Sequence, residues 1–201
     1  MSVAESFTAH NLNPHYFTEQ RCEFRLNDTY GDLLRTDLRI EGIELNASAT
    51  AQFPLGIGAL SLIKNARLLN DNVEITAMTG GANRWLGQKN LMFNNESQMG
   101  KKLPIESQRT GLHINQLFGS TPRIQPLDNY TQVDTTGTNN NSYTIQLNQI
   151  FPILDQMPFL DMRVFDKLRV VIEWEVSPFA TKATTKSFNG EPFLRFYAYN
   201  Q

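Results

Sequence analysis

Hydrophobic and polar residues alternate along much of this chain with a period of two, the signature of half-buried strands. Cys22-Glu23-Phe24-Arg25-Leu26-Asn27 alternates, and Asn27 to Asp32 follows with turn chemistry. Leu38 to Leu45 alternates again, with Leu38 and Ile40 on one face and Arg39 and Glu41 on the other. Gly42 then shifts the phase, which predicts a bulge or bend. Ala59 to Leu69 is a strand entering a bend or a short helix, and the strand is favoured because it can pair with Val73 to Thr76 through a turn at Asn70-Asp71-Asn72. Tyr143 to Asn148 alternates cleanly. The strongest strand is Asp166 to Val176, with Leu168, Val170, Ile172 and Trp174 on one face and Lys167, Arg169, Val171, Glu173 and Glu175 on the other. Pro192 to Tyr199 is apolar on both faces, so it belongs mid-sheet or against a partner.

Between these strands the pattern changes. Residues 1–20 are polar and mixed, with Pro14 after Asn13, and read as an N-terminal arm that is flexible or ordered against a neighbour. Gly80-Gly81 breaks the chain, and residues 82–93 carry a helix candidate. Thr131 to Ser142 is low-complexity and reads as an exposed loop. Ile150 to Leu160 is densely apolar, but Pro152 and Pro158 forbid a regular helix through it. It is expected to be a buried connection, non-helical or briefly helical, packed under the strand Leu168 to Trp174. Phe151, Leu154, Phe159 and Leu160 are its buried residues. No βαβ alternation occurs. The sum is an all-β fold, an antiparallel jelly-roll β-sandwich with long loops and at most a short helix or two. Its organisation is an arm over residues 1–20 and a single jelly-roll domain over residues 21–201.

Composition narrows the function classes. Hydrophobic residues make up 40% of the 201, with 13 Phe, which excludes wholesale disorder. Eighteen Lys and Arg against 20 Asp and Glu give a net charge of −2, so there is no strong nucleic-acid signal. Charged residues are only 19%, which leaves the surface to neutral amides and hydroxyls. No apolar run approaches a membrane span, and the opening residues have no secretory pattern. The single Cys22 excludes an intrachain disulfide framework and a cysteine zinc site.

Candidate chemistry is thin. His10, His15 and His113 are not spaced as a metal set, and His10 and His15 lie in the arm. Cys22 sits in an alternating strand without a histidine beside it, the setting of a packing residue. Gly56-Ile57-Gly58 and Gly80-Gly81 precede no Lys-Ser/Thr helix start, so they read as turns and not phosphate loops. Glu173 and Glu175 flank Trp174 on one strand and cannot oppose each other across a sugar. They are expected to face solvent or pair with Lys167 and Arg169. Phe196, Tyr197 and Tyr199 favour core or interface packing over base stacking. No catalytic residue, cofactor or metal is therefore expected.

Residues 143–176, YTIQLNQIFPILDQMPFLDMRVFDKLRVVIEWEV, resemble the end of the first jelly roll in double jelly-roll major capsid proteins of tailless icosahedral DNA viruses, virophage and Polinton-like ones being nearest. Residues 20–46, QRCEFRLNDTYGDLLRTDLRIEGIELN, look like the opening strands of that family. Family members carry two rolls in tandem, and this chain spans one roll. The resemblance implies a structural, non-enzymatic capsid protein located in the virion. It would be the first roll of a major capsid protein, or else a single-roll penton or minor capsid protein. The implied partners are other capsid proteins and further copies of the chain, as a pseudo-hexameric trimer or alternatively a pentamer. From another class, Trp174, Tyr197, Tyr199 and the amide-rich loops suggest a carbohydrate-binding β-sandwich. A cupin-like enzyme on the same fold would need the histidines that are missing.

Overall fold

The computed structural model describes residues 7–26, 30–45, 50–54, 57–81, 132–134, 142–156, 160–161, 164–165, 167–179 and 185–199. Among them the chain is all-β, with strands that pair antiparallel throughout. The first sheet contains β1 (Phe7–Leu12), β4 (Tyr30–Ile40), β10 (Tyr143–Gln146), β11 (Leu160–Asp161) and β14 (Phe193–Tyr199). Its order is β1-β14-β4-β10, and β11 shares the β10 side of β4. The second sheet runs β2-β3-β12-β7-β8. These strands are β2 (Tyr16–Thr18), β3 (Arg21–Leu26), β7 (Ile63–Asn70), β8 (Val73–Met78) and β12 (Leu168–Trp174). Two small ribbons complete the strand set: β5 (Ile43–Leu45) with β13 (Lys186–Phe188), and β6 (Thr50–Gln52) with β9 (Gln132–Asp134).

Alternation in the sequence becomes burial in the fold. Cys22, Phe24 and Leu26 of β3 join Leu168, Val170, Ile172 and Trp174 of β12 in one core cluster. Leu38 and Ile40 of β4, Ile145 of β10, and Leu194 and Phe196 of β14 belong to the same cluster. One apolar layer is thus shared by the inner faces of both sheets, as two stacked sheets require. The both-faces-apolar strand at the C-terminal end, β14, lies mid-sheet between β1 and β4, as its composition predicts. Gly42 marks the point where the chain leaves β4 for the small ribbon, and its carbonyl accepts from Asn189 N–H at 3.1 Å.

The expected hairpin forms, with Asn70 opposite Val73. Asp71 takes a positive φ of 54° at the turn, which Asp tolerates better than a β-branched residue does. Arg169 holds the turn by donating from Nε and Nη2 to the Asp71 carbonyl, at 3.1 and 2.6 Å. Asp71→Val is therefore expected to lower stability by about 1–2 kcal/mol through left-handed strain, whereas Asp71→Gly should stay close to the parent. Urea unfolding of the two variants checks this, and equal midpoints would remove the strain argument.

Several elements differ from the sequence reading. Of the turn expected at residues 27–32, Tyr30 to Asp32 belong instead to β4, and residues 27–29 lie outside the described residues. Ala59 to Leu69 combines the two readings open for it: a 3-10 turn, Gly58–Leu62, comes first and becomes the favoured strand, β7, at Ile63. Gly58 enters that turn at φ 58°, and Ser61 Oγ donates to its carbonyl at 2.8 Å. Part of the loop expected over residues 131–142 pairs instead, since Gln132–Asp134 forms β9. The strand expected to run to Asn148 ends at Gln146 and turns into a single α-helical turn, Leu147–Ile150. A 3-10 turn follows at Pro152–Gln156. This connection is buried at Ile150, Phe151 and Leu154, as expected; its backbone runs beside β4 of the first sheet, and the three side chains share one core cluster with Leu168, Val170, Ile172 and Trp174 of β12. The side chains of Phe159 and Leu160, and the helix candidate at 82–93, lie outside the described residues. Among the described residues no helix is long and apolar enough to cross a membrane.

Candidate functional site

The segment read as an arm, flexible or ordered only against a neighbour, supplies an edge strand to each sheet of its own chain. β1 pairs with β14 from Phe7 opposite Tyr199 to Leu12 opposite Leu194. β2 pairs with β3 from Tyr16 opposite Glu23 to Thr18 opposite Arg21. The sequence hid this because edge strands draw on backbone hydrogen bonds and need few apolar side chains. Ala9, His10 and Asn11 are exposed, and so are Tyr16 and Thr18.

Anchoring is concentrated after Pro14. His15 N–H donates to the Glu23 carbonyl at 2.7 Å, and Trp174 N–H donates to the Gln20 carbonyl at 2.8 Å. Glu19 accepts the Phe188 N–H on its carboxylate at 3.1 and 3.2 Å. Its backbone carbonyl accepts from Lys186 Nζ at 3.4 Å, and its carboxylate lies 3.8 Å from the same ammonium. The Phe17 ring meets Phe188 edge-on at 5.7 Å, and Trp174 meets Phe188 at 4.8 Å.

Lys186 is the unusual group here. Its side chain is 1% exposed, and its ammonium lies 3.8 Å from the Phe188 ring centroid and 5.9 Å from that of Trp174. Burial pulls its pKa from 10.5 down to about 8, against the opposing pull of Glu19, Cys22 and Glu175. Nearby, burial pushes the Cys22 thiol well above its ordinary range, so it is a poor nucleophile. That agrees with the packing role expected of Cys22. Lys186 was not singled out by the sequence. It stands alone in a polar stretch, and only the fold brings Trp174, Phe188 and Glu19 around it.

On the outer face of the second sheet, Glu23 is 8% exposed and gathers three arginines. Arg21 approaches at 3.5 Å, Arg25 at 3.7 Å and Arg169 at 3.5 Å. Arg25 and Arg169 are direct cross-strand neighbours, and Glu23 offsets the repulsion that such a pair would otherwise suffer. Arg169 is thus committed to Glu23 and the Asp71 turn, and Lys167 lies 3.8 Å from Asp71. Neither serves Glu173 in these contacts, so the pairing branch of the expectation is not what holds it; Glu173 and Glu175 are half-buried, Glu173 accepts from Asn65 Nδ2 at 2.7 Å, and Glu175 accepts from Val176 N–H.

The remaining sequence candidates do not converge. Trp174 is 2% exposed and forms part of the core, so it offers no platform to a sugar. Phe196 is core as well, while Tyr197 is half-buried beside Arg195, whose guanidinium lies 5.8 Å from its ring. His10 and His15 are both exposed; His113, Gly56 and the side chain of Tyr199 lie outside the described residues. Gly80 and Gly81 adopt positive φ of 66° and 83° after β8, as turn glycines do. Among the described residues no three His, Cys, Asp or Glu side chains gather in metal-binding range. No protein-family model matches the chain, and no curated protein matches it at a significant level.

Proposed function

We propose that this chain is a structural subunit of a viral shell, a jelly roll that self-associates into capsomers and carries no enzymatic activity. The observation that supports the jelly-roll part of the reading is the strand order. Imagine a chain of eight strands folded in half, so that strands 1·8, 2·7, 3·6 and 4·5 form one long antiparallel ribbon. Rolling that ribbon brings 8 beside 3 and 7 beside 4, and gives sheets ordered 1-8-3-6 and 2-7-4-5, the jelly roll. Take β1, β3, β4, β7, β8, β10, β12 and β14 as those eight strands in chain order. The sheet paths β1-β14-β4-β10 and β3-β12-β7-β8 then match both orders.

Fold alone does not assign function, since lectins and cupins share this roll. What favours a shell subunit is the resemblance at residues 20–46 and 143–176, which map onto β3 to β5 and β10 to β12. The lectin-like alternative has lost its main support with the burial of Trp174. Rigid wedges of two sheets tile closed shells through repeated interfaces. The expected assembly is a pseudo-hexameric trimer, with a vertex pentamer as the alternative, in the virion. Mass measurement of the purified chain, alone and with its companion shell proteins, should find one of these oligomers, and electron microscopy should find it within particles. A monomer under every such condition would sink the proposal.

A further inference from the structure

The chain is held very differently on the two sides of Pro14. From His15 onward, each anchor ties the segment to its own subunit: His15 to Glu23, Phe17 to the Phe188 ring, Glu19 to Phe188 and Lys186, and Gln20 to Trp174. Before Asn13, the described attachments are the β1–β14 ladder, a further contact of Thr8 and the packing of Leu12 on the core. None of the described β1 side chains is buried; Thr8 and Leu12 are half-buried, with Leu12 packed against the core. From Thr8 to Leu12 the backbone pairing is not backed by fully buried side chains, and local opening starts at such places, so β1 can leave β14 while β2 stays in place. Its departure would expose the edge of β14, a strand with Leu194 and Phe196 buried on one face and Phe193 and Tyr197 half-buried on the other. Such an edge recruits another strand.

We infer that β1 is an exchangeable strand that swaps between two copies of this chain, hinged at Asn13-Pro14. A second copy is the occupant that fits. It brings the same six residues, and so restores the register that sets Leu12 opposite Leu194. Proline restrains Asn13 to an extended conformation, which carries the chain away from its own sheet and not back along it. Three residues, Asn13 to His15, separate β1 in one sheet from β2 in the other, and short hinges of this kind favour swapping over closed pairing. The exchange rests on the self-association proposed above.

The test uses the ladder itself. Asn11 and Arg195 are register partners and both are exposed, at the close cross-strand spacing that a disulfide tolerates. One full-length chain carries Asn11→Cys, and a second, extended by a size tag, carries Arg195→Cys. Native Cys22 is fully buried and stays out of the exchange. The two are mixed, concentrated and oxidised, and their mass in solution is measured in parallel. Reduced samples must unfold at the parent temperature, which confirms that both variants fold. The expected result is a covalent heterodimer that grows with concentration and disappears on reduction. Oligomers without that heterodimer, while a chain carrying both substitutions closes its own disulfide, would overturn the exchange and leave self-association standing. A monomeric mixture at every concentration would overturn both.

Discussion

Phe151→Ala should destabilise the folded subunit by about 3–5 kcal/mol, while Ile153→Ala, two residues away, should shift it by less than about 1 kcal/mol. Phe151 is fully buried, and Leu147, Ile150 and Leu154 around it are at most 1% exposed. The local backbone fixes the ring: Phe151 N–H donates to the Leu147 carbonyl at 2.7 Å, and Leu154 N–H donates to the Phe151 carbonyl at 3.0 Å. Removing the ring leaves a cavity beside β4 that these hydrogen-bonded turns cannot collapse into. Ile153 is 38% exposed and loses little buried area on truncation. Against a typical domain stability of about 5–15 kcal/mol, the first change is a large fraction of the whole. Urea unfolding followed by tryptophan fluorescence, to which buried Trp174 contributes, measures both. A Phe151→Ala midpoint equal to the parent's would mean that the connection is not part of the core. A parent-like Ile153→Ala that fails to assemble would instead place the exposed side of this connection at a subunit contact.

The parts of this fold that were legible in the sequence are those whose burial has a period. In β3 and β12, every second side chain enters the core, so Phe24 or Ile172 is recognisable from its neighbours alone. The same holds for β14, whose apolar residues at both parities announce a central strand. Where burial has no period, the sequence was silent or misleading. β1 and β2 are paired through their backbones and leave Ala9, His10, Asn11 and Tyr16 exposed, which reads as an arm. The backbone neighbour of a connecting segment is equally unreadable: the density of apolar residues after Ile150 requires burial, but only topology sets that stretch beside β4. β9 escaped notice for a third reason, because a strand of three residues in a polar stretch carries too few positions to alternate. The Lys186 cage is the extreme case. Its members come from β2–β3, β12 and β13, and no spacing along the chain connects them.

That cage makes a pH prediction whose sign is the opposite of an ordinary salt bridge. In the folded chain Lys186 releases its proton near pH 8, whereas the unfolded chain holds it until about 10.5. Between these values the unfolded state binds more protons, so stability rises with pH, by up to about 1.4 kcal/mol per unit. Cys22 acts in the other direction, because the unfolded thiol ionises near 9.0 while burial keeps the folded one protonated. The parent should therefore gain stability from pH 8 to 9, hold level while the two effects cancel, and lose stability above about 10.5. In Cys22→Ser the gain should continue through the whole window and reach about 3 kcal/mol. Lys186→Met removes the rise altogether. It fills the same space, lets a thioether lie against Phe188 and Trp174, and leaves Glu19, with a side chain 48% exposed, in contact with water. Replacing a desolvated charge in this way should stabilise the subunit at pH 7 by about 1–3 kcal/mol, and that advantage should shrink steadily from pH 8 to 10.5. Denaturant midpoints of parent and variant, taken in parallel at each pH, cancel the titration of every other group. A stability difference between them that does not change from pH 7 to 10.5 would show that Lys186 keeps an ordinary pKa. The aromatic rings and Glu19 would then solvate its charge as well as water does.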